Sequence, residues 1–379
     1  MKLSSLFVIS SIDCFNFDVK YPIVKLGEID SNFGYAVESF KFQNGKEQII
    51  VGAPTLTEES YETGGVYSCP FNTFPQDCVL VSGLSGDRDF NNSRYGQTLA
   101  SSDGRLVACA PKYIKKSGKS KSVDRQVESL VGYCDLFQPN SQGHLITKIK
   151  RSLNSPIESI PHARNEWQER HDTFHYAKAQ YGISAATNDN GEFVLGAGGT
   201  LSWSGSIVSG SFYDSSLSES PYCKERKDAT GQLNGVTKWC NDMGQSTDSY
   251  GGSATLILDK MPGYNEPIYV MGSPGDEKYG SVRFYRKNGN NGLKEVWKIL
   301  GREIFQQAFD QKHTSHLGGL ASSFGYSLTK ADLNGDGLDD LLIGAPQYFD
   351  YAEKIGGAVF ILFSQEGGTS MRHMIRLRV

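Results

Sequence analysis

The amino-acid sequence predicts an all-β fold, specifically a β-propeller, and three observations lead to this prediction. The 379 residues include 42 Gly, 19 Tyr and 20 Phe, a composition typical of short strands joined by tight turns. Only 38% of the residues are hydrophobic, and there is no apolar run of about 20 residues that would span a membrane. A three-part pattern also occurs five times along the chain, and repeats of this length are typical of solenoids and propellers.

Each repeat opens with an aromatic residue and glycine at the start of a predicted strand. Glycine at this point allows two backbones to approach closely. The five openings are NFGYAV (32–37), RYGQTL (94–99), QYGISA (180–185), YGGSAT (250–255) and SFGYSL (323–328). Successive openings are roughly 60 to 90 residues apart, which is longer than a minimal four-stranded blade and leaves room for long loops.

The second part of each repeat is a hydrophobic strand that ends in Gly-Ala-Pro or a variant of it. These strands are IIVGAP (49–54), LVACAP (106–111), FVLGAG (193–198), YVMGSP (269–274) and LLIGAP (341–346). Their Val, Ile and Leu side chains fill the space between packed sheets, and proline removes a backbone donor and ends the ladder.

The third part of each repeat is a strand led by glycine. The five segments are GGVYSC (64–69), LVGYCD (130–135), WSGSIV (203–208), YGSVRF (279–284) and GGAVFI (356–361). Because no such unit can bury both of its faces alone, the units must stack around an axis. A β-propeller satisfies this requirement.

Charge and targeting signals favour a secreted protein. The formal net charge of -4 gives no basic footprint for nucleic acid or an anionic membrane. Residues 1–14, MKLSSLFVISSIDC, resemble a secretory signal with a short apolar core. The sequon Asn91-Asn92-Ser93 predicts glycosylation of Asn91.

The seven cysteines are compatible with an oxidising compartment. Cys14 lies at the end of the signal-like stretch, and the other six fall into near neighbours: Cys69 with Cys78, Cys109 with Cys134, and Cys223 with Cys240. Such spacing suits disulfides that clip hairpins and loops, although the sequence does not prove the pairing. Six reduced thiols in a cytosolic protein are the alternative.

The fifth repeat contains ADLNGDGLDDLLIGAP (331–346), in which oxygen-bearing side chains alternate. A loop that wraps Ca²⁺ takes its ligands from alternate positions, and Gly337 allows the sharp turn. An EF-hand would need a Glu at position 12, but Ile343 stands there within a predicted strand. The sequence therefore predicts a Ca²⁺ loop between strands, with an Asx-rich hairpin turn as the alternative. Its predicted ligands are the side chains of Asp332, Asn334, Asp336 and Asp340 and the carbonyl of Leu338.

The usual catalytic constellations are missing from the sequence, which predicts that the chain is not an enzyme. There is no G-x-S-x-G elbow and no H-E-x-x-H motif. The pairs His171/His175 and His313/His316 have metal-compatible spacing, but no neighbouring Cys or Glu completes a zinc site. We interpret them as surface histidines.

The repeats, the paired cysteines of CPFNTFPQDC (69–78) and the opening FNFDVKYP (15–22) resemble the N-terminal head of an integrin α subunit, a β-propeller of FG-GAP repeats. The resemblance covers about residues 15–364. It implies a signal-like segment at 1–14, a partial propeller at 15–364 and a basic tail of unknown origin at 365–379. Integrin α heads have seven blades, so the five repeats imply a fragment without two blades, the leg domains and the membrane span. A closed ring of five blades is the alternative.

The resemblance also implies a function in cell adhesion at the extracellular face of the plasma membrane. An α head pairs with an integrin β subunit, and the heterodimer binds extracellular matrix or cell-surface ligands. In the family, aromatic residues after the FG glycine clasp a basic side chain of the β subunit. Tyr35 and Tyr326 match that position, and core packing is the alternative for each. The family's Ca²⁺ loops are structural clamps, and Asp259 stands alone at the corresponding place in the fourth repeat, which implies that this blade has lost its ion or replaced it with other contacts.

Ligand contact is expected to come from loops of the head. Some family members carry an inserted ligand-binding domain between the second and third repeats, but only about fifty residues separate these repeats here. Thr247 replaces the acidic residue of RGD-binding members, which argues against RGD recognition, and Asp248 and Trp203 are the remaining candidates for ligand contact. The alternative functions are a secreted FG-GAP fragment and the propeller part of an enzyme similar to glycosyl-phosphatidylinositol phospholipase D.

Overall fold

The computed structural model describes residues 22–42, 45–72, 74–75, 77–84, 90–117, 127–138, 147–149, 178–213, 217–219, 248–289, 292–307, 319–350, 354–364 and 373–378. Strands dominate this part of the chain, and its two α-helices are short, α1 (Thr200–Trp203) and α2 (Gly301–Gln307). This confirms the all-β class. Neither of these helices is long and apolar enough to cross a bilayer.

Twelve strands belong to the first two repeats. They are β1 (Ala36–Lys41), β2 (Glu47–Ala53), β3 (Thr57–Glu58), β4 (Tyr61–Glu62), β5 (Gly65–Pro70), β6 (Val79–Gly83), β7 (Thr98–Ser102), β8 (Arg105–Ala110), β9 (Ile114–Ser117), β10 (Val127–Leu130), β11 (Tyr133–Gln138) and β12 (Thr147–Ile149).

Twelve more strands belong to the third, fourth and fifth repeats. They are β13 (Ala185–Thr187), β14 (Glu192–Gly196), β15 (Ile207–Ser211), β16 (Leu217–Glu219), β17 (Ala254–Leu258), β18 (Ile268–Ser273), β19 (Ser281–Lys287), β20 (Leu293–Leu300), β21 (Ser327–Ala331), β22 (Asp340–Asp350), β23 (Ile355–Phe363) and β24 (His373–Arg378).

Twenty of these 24 strands form five antiparallel sheets of four strands each, one for each repeat, and the other four form the two-stranded hairpins β3-β4 and β9-β10. The orders of the five sheets are β1-β2-β5-β6, β7-β8-β11-β12, β13-β14-β15-β16, β17-β18-β19-β20 and β21-β22-β23-β24. We call these sheets blades one to five. The first strands of consecutive blades lie beside one another, β1 with β7, β7 with β13, β13 with β17 and β17 with β21. This arrangement confirms a propeller of FG-GAP repeats with five blades.

One backbone hydrogen bond recurs in every blade and fixes the first strand against the second. The amide of the FG glycine donates to the carbonyl of the residue at the glycine position of Gly-Ala-Pro, at 2.8 to 3.1 Å. The five pairs are Gly34 to Gly52, Gly96 to Cys109, Gly182 to Gly196, Gly252 to Gly272 and Gly325 to Gly344. The repeated sequence pattern therefore places the first two strands in the same hydrogen-bond register in every blade.

The glycine that leads the third strand connects each blade to the next one. Parallel bridges join Gly64 to Tyr95, Gly132 to Tyr181, Gly205 to Gly251 and Gly280 to Phe324. All four leading glycines have φ between +82° and +93°, a backbone conformation that residues other than glycine rarely adopt. The junctions between blades thus depend on backbone contact that a Cβ atom would obstruct.

The hydrophobic core lies between consecutive blades. Between blades one and two, Ile50 and Val66 pack with Tyr95 and Leu106, all buried. Other clusters fill the spaces between blades two and three, three and four, and four and five. Each blade therefore buries its apolar side chains against a neighbour, as the repeat predicted.

Two disulfides lie within the described residues. Cys69 pairs with Cys78, and Cys109 pairs with Cys134 across β8 and β11. Cys109 stands where the other blades have the glycine of Gly-Ala-Pro, and its sulfur packs against Gly182 of blade three. Cys14 and the predicted pair of Cys223 and Cys240 lie outside the described residues, as does the signal-like segment at 1–14.

The structure differs from the sequence analysis in the C-terminal segment. The basic tail expected at 365–379 includes β24 (His373–Arg378), the fourth strand of blade five, which pairs with β23 from Ala358 to Phe363. The stretch IRLR (375–378) alternates apolar and charged residues, a pattern compatible with an edge strand. The propeller therefore extends past residue 364.

Two residues of the repeat pattern also differ from their expected places. In blade four Gly251 takes the position of the buried aromatic residue, because it is Gly251 that bridges to Gly205, and Tyr250 is shifted to an exposed position. In blade five Pro346 lies within β22 instead of ending it. The register with β23 shifts between Ala345 and Phe349, and such an irregularity accommodates a residue that has no backbone donor.

Candidate functional site

The acidic loop of blade five joins β21 to β22 and begins with Asp332. The Asp332 carboxylate accepts backbone hydrogen bonds from Gly335 at 2.7 Å, Asp336 at 3.1 Å and Gly337 at 2.8 Å. Gly335 and Gly337 both have positive φ, and no atom lies within 4 Å of the position of a Cβ on either. The loop therefore curls around Asp332 because two glycines permit left-handed turns.

The next predicted ligands lie within the same curl. The Asn334 carbonyl oxygen accepts from the amide of Asp336 at 3.1 Å, and Asp336 accepts from the amide of Leu338 at 2.9 Å. The side-chain amide of Asn334 also donates to Asp336 at 2.9 Å. These contacts bring three side-chain oxygen donors into one exposed turn.

Asp340 is the buried end of the loop. Its carboxylate is fully buried and accepts hydrogen bonds from the amides of Leu333 and Ser364, at 2.9 and 2.8 Å. Asp340 thus ties the start of the loop to the end of β23, which holds the loop on the blade.

The donor set of this loop fits a hard cation. Three carboxylates and one amide supply only oxygen atoms, the ligands that Ca²⁺ prefers, and each carboxylate oxygen can accept a second interaction. Among the described residues, however, no three His, Cys, Asp or Glu side chains converge into a metal-binding group. The loop therefore has the chemistry and the curvature for Ca²⁺, with its carboxylates turned towards backbone amides.

Asp259 of blade four contacts neighbouring blades. Its carboxylate lies 2.8 Å from the Lys330 ammonium and 2.7 Å from the side-chain amide of Asn188. Burial alone would lower the pKa of Lys330, but hydrogen bonds and the charges of Asp259 and Asp339 outweigh it and raise that pKa above its ordinary value. Lys330 is therefore an ammonium ion at neutral pH.

Tyr35 and Tyr326 occupy equivalent positions at the start of β1 and β21. Their side chains are 61% and 59% exposed, so neither packs in the core of the described chain. The amide of each donates to the residue three positions before it, Asn32 or Ser323, in a tight turn. Both rings are available to a partner.

Trp203 and Asp248 lie at the junction of blades three and four. The Trp203 carbonyl accepts from the Tyr250 amide at 2.7 Å, and Asp248 is exposed two residues before Tyr250. The Lys178 ammonium lies 4.5 Å from the centre of the Trp203 ring, within cation-π range. The structure thus places Tyr250 and Lys178, two residues that the sequence did not point to, against Trp203, while Asp248 is exposed nearby in the chain.

The comparisons with known proteins agree with this architecture. The family model described as FG-GAP repeat matches residues 324–362, which span most of blade five. Integrin alpha-6 of Gallus gallus is 28% identical over 372 residues, covering 93% of this chain. Integrin alpha-7 of Rattus norvegicus and integrin alpha-5 of Xenopus laevis are each 26% identical, covering 93% and 98% of this chain. The chain is thus similar to integrin alpha subunits over nearly its whole length.

The chain spans about one third of the length of these integrin alpha relatives, 31%, 29% and 33% respectively. The match extends through all five blades, so the similarity concerns the whole described propeller. Among solved structures, a xylan beta-1,4-xylosidase from Bacillus Halodurans C-125 superposes with a TM-score of 0.29 at 13% identity, covering 91% of this chain and 55% of that chain. A superposition this loose supports no conclusion.

The remaining predicted sites of the chain are at the surface or outside the described residues. Asn91 is exposed, and its side-chain oxygen accepts from the amide of Glu62 at 3.0 Å. Its glycosylation stays a prediction. The four histidines at 171, 175, 313 and 316 lie outside the described residues.

Proposed function

We propose that the chain is the α head of an integrin-type adhesion receptor, which pairs with an integrin β subunit and binds extracellular matrix or cell-surface ligands. The observation that carries the proposal is the similarity to integrin alpha subunits over 93% of the chain. The head acts at the extracellular face of the plasma membrane as part of a longer receptor, and this chain expressed alone enters the secretory pathway.

Two exposed aromatic rings support the pairing with a β subunit. Tyr35 and Tyr326 open the first strands of their blades and present most of their surface to solvent. An aromatic face attracts an ammonium or guanidinium group by about 0.5 to 2 kcal/mol, more strongly when water is excluded. The β subunit therefore contributes a basic side chain to this surface.

Calcium is the cofactor of the proposed head, in a structural role. Asp332, Asn334, Asp336 and Asp340 supply side-chain oxygens and Leu338 a carbonyl. The bound ion offsets the repulsion among the carboxylates. The residues of the chain shape the loop through the backbone contacts of Asp332 and Asp340.

The surface formed by Trp203, Tyr250 and Asp248 is the proposed ligand contact of the α head. It combines an aromatic ring next to a lysine, an exposed tyrosine and an exposed carboxylate. Such a mixture suits a protein ligand, because exposed aromatic residues and charges are common at the centre and rim of interfaces.

Co-expression tests the proposed function. The full chain and an integrin β subunit with an affinity tag are secreted from the same cells, and the tag is used for purification. We expect the chain to be retained only when the β subunit is present. Secretion of a folded chain that no β subunit retains would contradict the proposal.

Calcium titration of the purified chain tests the cofactor. We expect saturable Ca²⁺ binding that raises the melting temperature, and we expect Asp336→Asn to weaken it. Asp103→Asn is the matched control, because Asp103 occupies an exposed hairpin turn in blade two. Equal effects of the two variants would contradict the assignment of the loop.

A further inference from the structure

Asp259 and Asp332 occupy the same position in consecutive blades. Each is the first residue after the innermost strand, β17 or β21, and each strand is held by the same hydrogen bond of its FG glycine. Asp332 begins the acidic loop of blade five. Asp259 is followed by KMPGYNEP (260–267), which lacks the alternating acidic residues of that loop. Blade four therefore keeps the first residue of a cation loop without the others.

Residues of both neighbouring blades donate hydrogen bonds to the Asp259 carboxylate. Lys330 of blade five donates to Oδ2 at 2.8 Å, and the side-chain amide of Asn188 of blade three donates to Oδ1 at 2.7 Å. Asn188 is itself oriented, because its own oxygen accepts from the amide of Glu192 at 2.8 Å. One carboxylate thus joins three blades.

The Lys330 ammonium lies between two carboxylates of different blades. Its second partner is Asp339 at 3.1 Å, a residue of the acidic loop between Leu338 and Asp340. Asp339 also accepts from the amide of Asp259 at 3.0 Å. The side chains of Lys330, Asp259 and Asp339 are 29%, 30% and 19% exposed, so water screens the three charges only in part.

We propose that Lys330 replaces a metal ion at blade four. Its ammonium neutralises Asp259 and Asp339 and so joins blades four and five, while the Asp259 carboxylate extends the contact to Asn188 of blade three, and none of these contacts needs calcium. Asp339 connects this clamp to the acidic loop of blade five. The conformation of that loop then depends on calcium, whereas the contact between blades four and five is held by Lys330 and does not. The inference rests on the proposed function only in taking that loop as the calcium site.

A double-mutant cycle carried out in EDTA tests the clamp. The full chain is compared with Asp259→Asn, Lys330→Met and the double variant by thermal unfolding. We expect Asp259→Asn to lower the melting temperature by roughly 2 °C and Lys330→Met to lower it at least as much, because it also breaks the pair with Asp339. We expect the double variant to lower it no further than Lys330→Met, because the pair of Lys330 with Asp259 is already broken in that variant. Lys298→Met is the matched control, an exposed lysine of β20, and we expect no change. Fully additive effects of the two single variants would overturn the proposal.

The number of calcium ions bound, measured by calorimetry, is the second test. We expect one Ca²⁺ for each chain, unchanged by Asp259→Asn and lost in Asp332→Asn. Loss of an ion in Asp259→Asn would show that Asp259 is a metal ligand and would overturn the clamp. A wild-type chain that binds no calcium would contradict the proposed calcium loop, whereas the cycle in EDTA decides the clamp independently of it.

Discussion

Gly64 of blade one lies so close to Tyr95 of blade two that a Cβ atom on Gly64 would stand 2.2 Å from the Tyr95 carbonyl oxygen. The same contact recurs at Gly132, Gly205 and Gly280, where the distances are 1.9 to 2.1 Å. Gly357 is the equivalent residue of blade five, and the nearest atom to its Cβ position is the Pro346 oxygen at 3.8 Å. In blades one to four the leading glycine is therefore required by the close contact with the next blade. In blade five Gly357 is required only by its positive φ.

We predict that Gly64→Ala lowers the free energy of unfolding by about 2 to 5 kcal/mol. The left-handed backbone costs about 1 to 2 kcal/mol, and the clash with blade two adds about 1 to 3 kcal/mol. Gly357→Ala is the control, with a similar positive φ and no close neighbour, and should lose only the backbone contribution. Urea unfolding measures both variants, and equal losses would show that the close approach contributes nothing.

The buried ion pair of blade four gives a second prediction. Arg283 and Asp276 are 1% and 0% exposed, and their side chains meet at 2.9 Å, with Ser281 donating to Asp276 at 2.6 Å. Arg283→Met should cost about 3 to 5 kcal/mol, because it leaves a buried carboxylate without its cation. Arg286→Met breaks a pair with Glu266 whose side chains are 40% and 43% exposed, and should cost at most about 1 kcal/mol. Chemical denaturation measures both variants, and similar decreases in their free energy of unfolding would contradict the prediction.

Glu38 gives a prediction about pH. Burial raises the pKa of Glu38, and the hydrogen bond from Ser101 at 3.1 Å offsets the shift only in part. The folded state then binds more protons than the unfolded state between the two pKa values, so stability falls as the pH rises through that window. Glu38→Gln should therefore stabilise the protein at pH 7 and lose this advantage below about pH 4. Glu47→Gln, at an exposed position in β2, is the control, and a gain in stability at pH 7 as large as that of Glu38→Gln would contradict the argument from burial.

The repeat made most of the fold predictable from the sequence. An aromatic residue, a glycine and a hydrophobic strand recur with a local spacing, and local patterns determine strands, turns and the buried face. The first and second strands of every blade were found in this way. In blade four Gly251 stands where the other blades have an aromatic residue, and the sequence did not predict this. The YGG segment can be aligned on either glycine, and only the bridge to Gly205 decides between the two alignments.

Contacts between distant residues could not be predicted from the sequence. Lys330 meets Asp259 across 71 residues, and no periodicity relates the two positions. Strand β24 was not predicted because nine residues separate the end of β23 at Phe363 from His373, and its pairing depends on the tertiary fold. The ligands of the acidic loop, in contrast, follow one another in the chain, so their proximity was predictable.

The affinity of the chain for an immobilised integrin β subunit tests the central claim most directly. Binding is measured for the wild-type chain, for the double variant Tyr35→Ala/Tyr326→Ala, and for Phe74→Ala, which removes a 68% exposed ring elsewhere on blade one. We predict saturable binding by the wild type and Phe74→Ala, and at least about fivefold weaker binding by the tyrosine variant, because each cation-π contact contributes about 0.5 to 2 kcal/mol. No binding by a folded wild-type chain would contradict the adhesion account, and equal binding by all three would place the β subunit on another surface.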